Sequence, residues 1–378
     1  MIYWQVGNKK FTNKWSAALD AAQTKQEIRF NLYDESFDRV DWAKEPAESW
    51  DQLLDMRAQQ IAAKNKPIVL NFSGGTDSYT IYQVFKRNNI HIDVLYLRRR
   101  KTDLDYTINQ GVLDFLANDV EDKTTKILIR EDSADVFEQA YTSSNWLFEH
   151  GASRFEFSFG FGGDAFGDAY LTKELGTDDF ISVNGLDKPI LSFDWHGVYS
   201  YQTDKNFIRL AGNKTAESFY ITPELPELHV KQSYLILNYV KKLRPNATPQ
   251  DLMNDPKNFN KMSEANHYNW QEYSILASGR FGDLSTNSDW QHHAWSNSCL
   301  QLNDKGLIDK NSHQGAGQNW FRSLAGTKTW NNYTQGILDL YSDPAGRILF
   351  PDPDNLYKLK CFNSKFYKLN FPINRNFS

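Results

Sequence analysis

Cysteine is scarce in this chain of 378 residues, which contains only Cys299 and Cys361. Two cysteines exclude a zinc site built from four thiolates and allow one disulfide at most. We expect two reduced thiols, as in proteins of a reducing compartment. Long apolar runs are absent as well, because no stretch approaches the roughly 18 consecutive apolar residues of a membrane span. The composition therefore predicts no membrane partner.

A signal peptide and an excess of positive charge are also missing. Residues 1–5 carry no charged leader followed by an apolar core, so we expect no secretion signal. The formal net charge of −5 argues against a broad binding face for duplex nucleic acid, although it leaves room for a local basic patch. Together these absences predict a soluble, cytoplasmic protein.

The chain is long enough for two domains, or for one α/β domain with large additions. Its pattern predicts a small α+β unit over residues 1–45, in which a hairpin turn at Gly7–Asn8 is followed by a helix and a strand. Residues 46–255 form the predicted main domain. Residues 256–378 are rich in Asn, Trp, Ser and Gly, and we expect an irregular, partly helical region packed on that domain.

Strands and helices alternate in the main domain. Apolar strand patterns occur at four places, with helical patterns between them: Ile68–Phe72, His91–Leu97, Lys126–Ile129 and Phe180–Val183. Helical stripes also precede the first strand (Trp50–Ala63) and follow the last (Val230–Lys241). Strands separated by helices of this length indicate right-handed crossovers and a parallel sheet. The fold class is therefore predicted to be α/β.

The stretch "PIVLNFSGGTDSYTIYQVF" (67–85) places the run Ser73-Gly74-Gly75-Thr76-Asp77-Ser78 between the first strand and its helix. Ligands bind at the carboxyl ends of parallel strands. Glycines let the backbone approach a ligand closely, and the amides at a helix start favour an anion. The two serine hydroxyls add donors, so the run predicts a phosphate-binding loop. The plainer alternative is a turn in which Ser73 or Asp77 only caps the helix.

The loop lacks the Gly-Lys-Ser/Thr ending of a Walker A motif, so no lysine neutralises a bound phosphate here. Asp77 would repel a bare phosphate. The carboxylate makes sense if it holds Mg²⁺ that bridges to the phosphate oxygens.

The six residues resemble the SGGxDS signature of the N-type ATP pyrophosphatases, or PP-loop family, which includes asparagine synthetase, NAD synthetase, GMP synthetase and enzymes that modify tRNA or deazaguanine. The resemblance implies a five-stranded, doubly wound parallel sheet of the PP-loop/HUP-like kind, with ATP and Mg²⁺ bound. It further implies cleavage of ATP between its α- and β-phosphates, adenylation of a substrate and release of pyrophosphate. Residues 73–78 would bind the nucleotide, with Asp77 as the metal ligand, and the backbone at Tyr96 and Leu97 would lie near adenine.

Asparagine-synthetase-like members of the family carry a second loop, whose acid shares the Mg²⁺. Asp187 in "ISVNGLDKP" (181–189) and Asp164 in "GFGGDAFGD" (160–168) are the two candidates. We favour Asp187, because a recognisable strand precedes it, whereas Ala165 replaces the glutamate of the family's Gly-Gly-Asp-Glu string. Lys188 would act beside Asp77 in catalysis by stabilising charge at the α-phosphate. A surface turn at Asp187 remains the alternative.

The sequence also departs from parts of the family. Glutamine-dependent asparagine synthetases have a cysteine after the initiator Met, where this chain has Ile2, and 45 residues are too few for a glutaminase domain. We therefore expect no hydrolysis of glutamine by this chain. The cysteines of deazaguanine nitrile synthesis and of tRNA thiolation are missing too. The segments "RAQQI" (57–61) and "TPELPELHVKQ" (222–232) resemble asparagine-synthetase-like proteins encoded by bacteriophages.

Three functions are compatible with these features. The first is an AMP-forming ligase that joins a small-molecule substrate to an amine donor. The second is a PP-loop enzyme that modifies a nucleobase, tRNA or DNA, with Arg98-Arg99-Arg100-Lys101 in contact with the substrate, although such a run is often only solvated. The third is a nucleotide-binding regulator without catalysis. The acceptor cannot be deduced from the fold.

Overall fold

The computed structural model describes residues 1–72, 76–100, 116–118, 120, 122–132, 164–185, 189–204, 207–208, 210–243, 245–253, 326–350 and 360–371. Residues 73–75 and 186–188, which contain much of the two predicted loops, lie outside these ranges, as does most of the C-terminal region. Cys361 is exposed, whereas Cys299 is outside the described part, so the predicted pair of thiols stays a prediction. No helix among the described residues is long and apolar enough to cross a membrane.

The N-terminal unit is a three-stranded antiparallel sheet with helices. Its elements are β1 (Ile2–Val6), β2 (Lys9–Phe11), α1 (Lys14–Thr24), β3 (Ile28–Leu32) and α2 (Asp34–Phe37). Gly7 turns the hairpin with a left-handed φ of 55°, and the strand order is β2-β1-β3. Helix α1 begins where the Asn13 side chain accepts hydrogen bonds from the backbone of Trp15 and Ser16. The predicted hairpin, helix and strand are confirmed.

The centre of the fold is a five-stranded, all-parallel sheet, which confirms the predicted α/β class. Its strands are β4 (Ile68–Asn71), β5 (Val94–Arg100), β6 (Lys126–Asp132), β7 (Ile181–Asn184) and, after the hairpin described below, β10 (Ala216–Ser218). The spatial order is β10-β7-β4-β5-β6, so the chain order reverses between β4 and β7. The first, third and fourth strands were predicted within a few residues. The second begins later than predicted and continues to Arg100, and the fifth had not been located.

Helices pack on both faces of this sheet. They are α3 (Trp50–Ala62), α4 (Thr76–Arg87), α5 (Asp164–Leu175) and α6 (Pro226–Leu243). Alternate strand residues point to opposite faces. Val69 and Val94 pack with Leu171 of α5 on one face, whereas Leu70 and Leu95 share the larger cluster on the other face with residues of α3, α4 and α6. The carboxyl edge of the sheet is thus held between two packed layers.

A second antiparallel sheet and three further helices complete the described chain. They are β8 (Ile190–Asp194), β9 (Gly197–Tyr201), α7 (Pro249–Met253), α8 (Lys328–Ser342), α9 (Pro344–Leu349) and β11 (Tyr367–Leu369). Strand β9 lies between β8 and β11, so the end of the chain pairs with a hairpin that directly follows the second predicted loop. Sequence analysis predicted none of these strands.

A buried ion pair joins the N-terminal unit to the rest of the chain. Lys14 Nζ lies 2.8 Å from Asp204 Oδ2, and both side chains are fully buried. Trp4 Nε1 donates to the same oxygen at 2.7 Å, and the backbone N–H of Phe362 donates to Oδ1 at 3.0 Å. Removing one partner of a buried pair typically costs about 3–5 kcal/mol, because the other charge is left without compensation. Asp204 therefore connects three distant parts of the sequence.

His229 on α6 gives a testable dependence of stability on pH. Its buried ring lies 5.5 Å from the ring of Phe37 and 5.6 Å from that of Trp42, and burial lowers its pKa from 6.5 to about 3. Below pH 6.5 the unfolded chain binds a proton that the folded chain excludes. We expect the free energy of unfolding to fall with decreasing pH, by up to about 1.4 kcal/mol per pH unit from this residue.

Urea denaturation of the wild type and of His229→Phe between pH 7 and pH 4 measures this contribution. The variant should lose less stability on acidification than the wild type, whereas His196→Phe, at an exposed turn, should follow the wild type. Equal pH dependence in the wild type and His229→Phe would contradict the assignment.

Candidate functional site

The candidate site lies at the carboxyl edge of the five-stranded sheet, between β4 and β7. These strands are parallel neighbours, with Ile68 opposite Ile181 and Leu70 opposite Val183. Crevices at such a reversal of strand order are where ligands bind in open α/β sheets. Residues 73–75 connect β4 to α4, and residues 186–188 connect β7 to β8, so both predicted loops leave the same edge.

Polar side chains fix the register of the two strand ends below these loops. Asn71 Nδ2, at the end of β4, donates to Ser182 Oγ at 2.8 Å and to the carbonyl of Val183 at 3.1 Å. Asn184 Nδ2 donates to the carbonyl of Ser182 at 3.1 Å. Buried amides of this kind need their partners, since an unsatisfied one costs about 1–3 kcal/mol. The edges of β4 and β7 are therefore tied by side chains as well as by backbone.

Asp77 lies where three elements meet. It occupies the first turn of α4 and is half-buried. A Cβ atom added to Gly185, which follows β7, would lie 3.2 Å from Asp77 Cβ and 2.9 Å from Ile81 Cδ1. From the segment after β10, the Tyr220 hydroxyl donates to the Asp77 carbonyl at 3.0 Å. The structure thus brings the start of the second predicted loop against the predicted metal ligand of the first.

The remaining residues of the two loops are placed only in part. Ser73, Gly74 and Gly75 lie outside the described residues; Thr76 begins α4, and Ser78 is buried in its first turn. Asp187 and Lys188 also lie outside the described residues, although Gly185 and Pro189 on either side are described. Their roles stay predictions.

The alternative acid, Asp164, begins helix α5, which sequence analysis had not predicted. Tyr170 of α5 stacks on Tyr96 with ring centroids 5.9 Å apart, whereas Lys126, at the start of β6, donates to the carbonyl of Glu174 at 3.3 Å. The helix therefore runs antiparallel to the strands, and its first residue is at the carboxyl edge of the sheet. Asp164 and Asp187 both remain candidates for the second metal ligand at that edge.

Tyr96 and Leu97 do not end the second strand, so this part of the prediction is wrong. Strand β5 continues through Arg98–Arg100, which pair with residues 130–132 of β6. The side chains of Tyr96 and Leu97 are buried on opposite faces of the sheet. The backbone N–H of Phe72 donates to the Tyr96 carbonyl at 2.8 Å, so this backbone lies level with the start of residues 73–75. Contact with adenine remains a prediction.

A charge network around the buried side chain of Arg57 joins the "RAQQI" and "TPELPELHVKQ" segments. The guanidinium of Arg57 in α3 contacts Glu224 at 2.6 Å and Glu217 at 2.8 Å, and donates to the carbonyl of Ser218 at 3.1 Å. Lys64 contacts both glutamates, at 2.6 and 3.0 Å. Burial acts to raise the pKa of Glu224, but the hydrogen bond from Lys64 and the charges of Lys64 and Arg57 lower it overall. The network fixes β10 and the segment that leads to Tyr220.

Burial also raises the pKa of Tyr33, beside the network, to about 12, with the positive charge of Arg57 opposing the shift.

Within the described ranges, no group of three or more His, Cys, Asp or Glu side chains could hold a metal ion, and Asp187 lies outside those ranges.

No protein-family model, curated protein or solved structure matches this chain. A function must therefore be argued from the site, since a parallel α/β sheet by itself supports many chemistries.

Proposed function

We propose that this protein is an AMP-forming ligase of the PP-loop type, which binds Mg·ATP at the carboxyl edge of its sheet. One observation carries the proposal: the Ser-Gly-Gly-Thr-Asp-Ser sequence lies between β4 and α4 at the strand reversal, its last three residues start α4, and Gly185 of the neighbouring loop lies against Asp77. The combination unites a phosphate-binding sequence, a helix start and the expected position of a ligand site.

The residues present fit a magnesium-bound triphosphate. The twelve-residue helix α4 directs its amino end, with Asp77 in the first turn, at this edge of the sheet. The amides of that turn and the helix dipole favour the phosphates. Mg²⁺, when bound, neutralises phosphate charge that no lysine of the loop can neutralise. Asp77 would hold the ion from this chain, and Asp187 would be the second ligand.

In the proposed reaction, a substrate oxygen attacks the α-phosphorus of ATP in line with the leaving group. A bond forms between that oxygen and phosphorus, the bond to the bridging oxygen breaks, and pyrophosphate leaves with the electron pair. Amides at the start of α4 and Lys188 stabilise the charge that develops on the phosphates. A nitrogen nucleophile then displaces AMP from the substrate. Holding the reactants close together in the correct orientation would supply much of the rate enhancement.

A second candidate is a PP-loop enzyme that acts on a nucleobase, tRNA or DNA. The observation in its favour is that Arg98, Arg99 and Arg100 are the last residues of β5, at the same carboxyl edge as the loops. Arginines there could bind a phosphate backbone. A third candidate, a nucleotide-binding regulator, would bind ATP without turnover.

Product analysis separates these functions. We expect AMP and pyrophosphate from ATP when the protein is incubated with pooled carboxylic acids and an amine donor. A requirement for nucleosides, tRNA or DNA would favour the second candidate, and binding without turnover against every pool would favour the regulator. Formation of ADP and phosphate would contradict both PP-loop enzyme candidates, because these cleave ATP between its α- and β-phosphates.

Removing the Asp77 carboxylate tests the binding site itself. Asp77→Ala should weaken Mg²⁺-dependent ATP binding by at least about tenfold, because the ion loses a ligand beside the phosphates. Isothermal titration calorimetry with and without Mg²⁺ measures the effect. Asp179→Asn is the control, because Asp179 is exposed at the opposite edge of the sheet, where it pairs with Lys66 at 2.6 Å. Unchanged affinity in Asp77→Ala would refute the assignment.

The second loop is tested by comparing its acid with the alternative acid on α5. Asp187→Asn should raise the Mg²⁺ concentration needed for half-maximal turnover, whereas Asp164→Asn should change it little. A Mg²⁺ effect of Asp164→Asn alone would show that the α5 acid is the ligand.

Lys188→Ala should lower kcat more than it weakens ATP binding, because the charge that Lys188 meets develops only in the transition state.

A further inference from the structure

Two residues far from the phosphate-binding sequence hold the first turn of α4 in place. Gly185 lies against its side, and Tyr220 donates a hydrogen bond to its backbone. Neither belongs to the sequence run 73–78. Both act on Asp77, the residue whose carboxylate is proposed to bind Mg²⁺.

Space rather than backbone conformation requires glycine at position 185. Its φ is not among the left-handed values found at glycines such as Gly176, which has a φ of 70° and nothing within 4 Å of an added Cβ. A Cβ at Gly185 would instead lie 2.9 Å from Ile81 Cδ1, 3.2 Å from Asp77 Cβ and 3.3 Å from the Asp77 carbonyl carbon. The Asp77 atoms belong to the main chain or are bonded directly to it, so an alanine here requires a shift of a few tenths of an ångström between this turn and the backbone at residue 185.

Tyr220 is buried among aromatic rings. Its side chain is 1% exposed, and its ring is stacked on Trp50 with centroids 6.1 Å apart and planes inclined by 6°. The preceding residue, Phe219, packs edge-on against Phe85 of α4 at 5.9 Å. The hydroxyl is thus presented to the Asp77 carbonyl by a ring that cannot easily turn away.

We infer that Gly185 and Tyr220 are positioning residues, which set the place of the Asp77 carboxylate and of the first-turn amides relative to the ends of β7 and β10. The inference rests on the proposed function, since it assigns these residues to Mg·ATP binding. A binding constellation has to be held to within about 0.5 Å, and displacement of this turn would move the metal ligand and the phosphate donors together. Neither residue has to touch the nucleotide to affect its affinity.

Tyr220→Phe tests the hydrogen bond while it keeps the ring. Loss of one neutral hydrogen bond should weaken Mg·ATP binding by about 3- to 10-fold and raise the Mg²⁺ concentration required for binding. The matched control is Tyr234→Phe, because the Tyr234 hydroxyl also donates to a backbone carbonyl, that of Trp42, at 3.1 Å, away from the sheet edge. The control should lower the melting temperature without changing the Mg²⁺ requirement.

Gly185→Ala tests the close approach, and a second substitution tests its cause. The alanine should weaken Mg·ATP binding by about tenfold or more. Ile81→Val removes the Cδ1 atom nearest to the added methyl group, so the double variant should regain part of the lost affinity. Failure of both Tyr220→Phe and Gly185→Ala to change the affinity or the Mg²⁺ requirement would overturn the inference.

Hydrogen exchange of the nucleotide-free protein separates this inference from the proposed function. If the wild type binds no ATP, the proposed function fails, and with it the link to the nucleotide. The claim that Tyr220 holds the first turn of α4 in place is tested independently of ATP. Faster hydrogen exchange of the amides of residues 77–81 in Tyr220→Phe than in Tyr234→Phe supports that claim, and equal exchange overturns it.

Discussion

The parallel pairing of β4 with β7 is the constraint on which the candidate site depends. These strands are distant in sequence, yet their pairing brings residues 73–75 and 186–188 to one edge of the sheet. A slip of one residue would reverse every side chain of β7, which is fully buried, and would put Ser182 and Asn184 in the places of Ile181 and Val183. Asn71 adds hydrogen bonds to Ser182 and Val183 at the edge itself. The register and the site are therefore fixed by the same contacts.

The outer parts of the fold support this edge through buried charges. Arg57 in α3 and the carboxylates of Glu217 and Glu224 fix the end of β10, and Tyr220 follows directly and reaches Asp77. Asp204 connects the N-terminal unit to the C-terminal segment by way of Lys14 and Phe362. Such networks add little net stability but are costly to break. The Arg57 network, by way of Tyr220, connects α3 and β10 to the first turn of α4.

Elements with strong local patterns could be predicted from the sequence. The N-terminal hairpin, strand β4 and helix α4 have clear periodicity and turn or cap residues, and the structure contains them. Strand β10 has only three residues, and Gly167 weakens the helical pattern of α5, so neither gave a local signal. The carboxyl end of β5 was misplaced because the apolar pattern stops at Leu97, whereas pairing with β6 extends the strand through Arg98–Arg100.

The residues that hold the site were harder to predict than the loop itself. Gly185 lies in the second predicted loop, but its contact with Asp77 follows from the strand order, which local pattern does not determine. The same applies to Tyr220, which looks like an ordinary buried aromatic in the sequence. The preference for Asp187 over Asp164 rests on the sequence alone, because the end of β7 and the start of α5 lie at the same edge of the sheet.

A crystal structure with Mg²⁺ and α,β-methylene-ATP, which cannot be cleaved between its α- and β-phosphates, tests the central claim most directly. The account predicts phosphates at the start of α4, between the ends of β4 and β7, with Mg²⁺ bound to the Asp77 carboxylate. A nucleotide bound elsewhere on the protein, or phosphates at this edge without contact between the metal and Asp77, would contradict it.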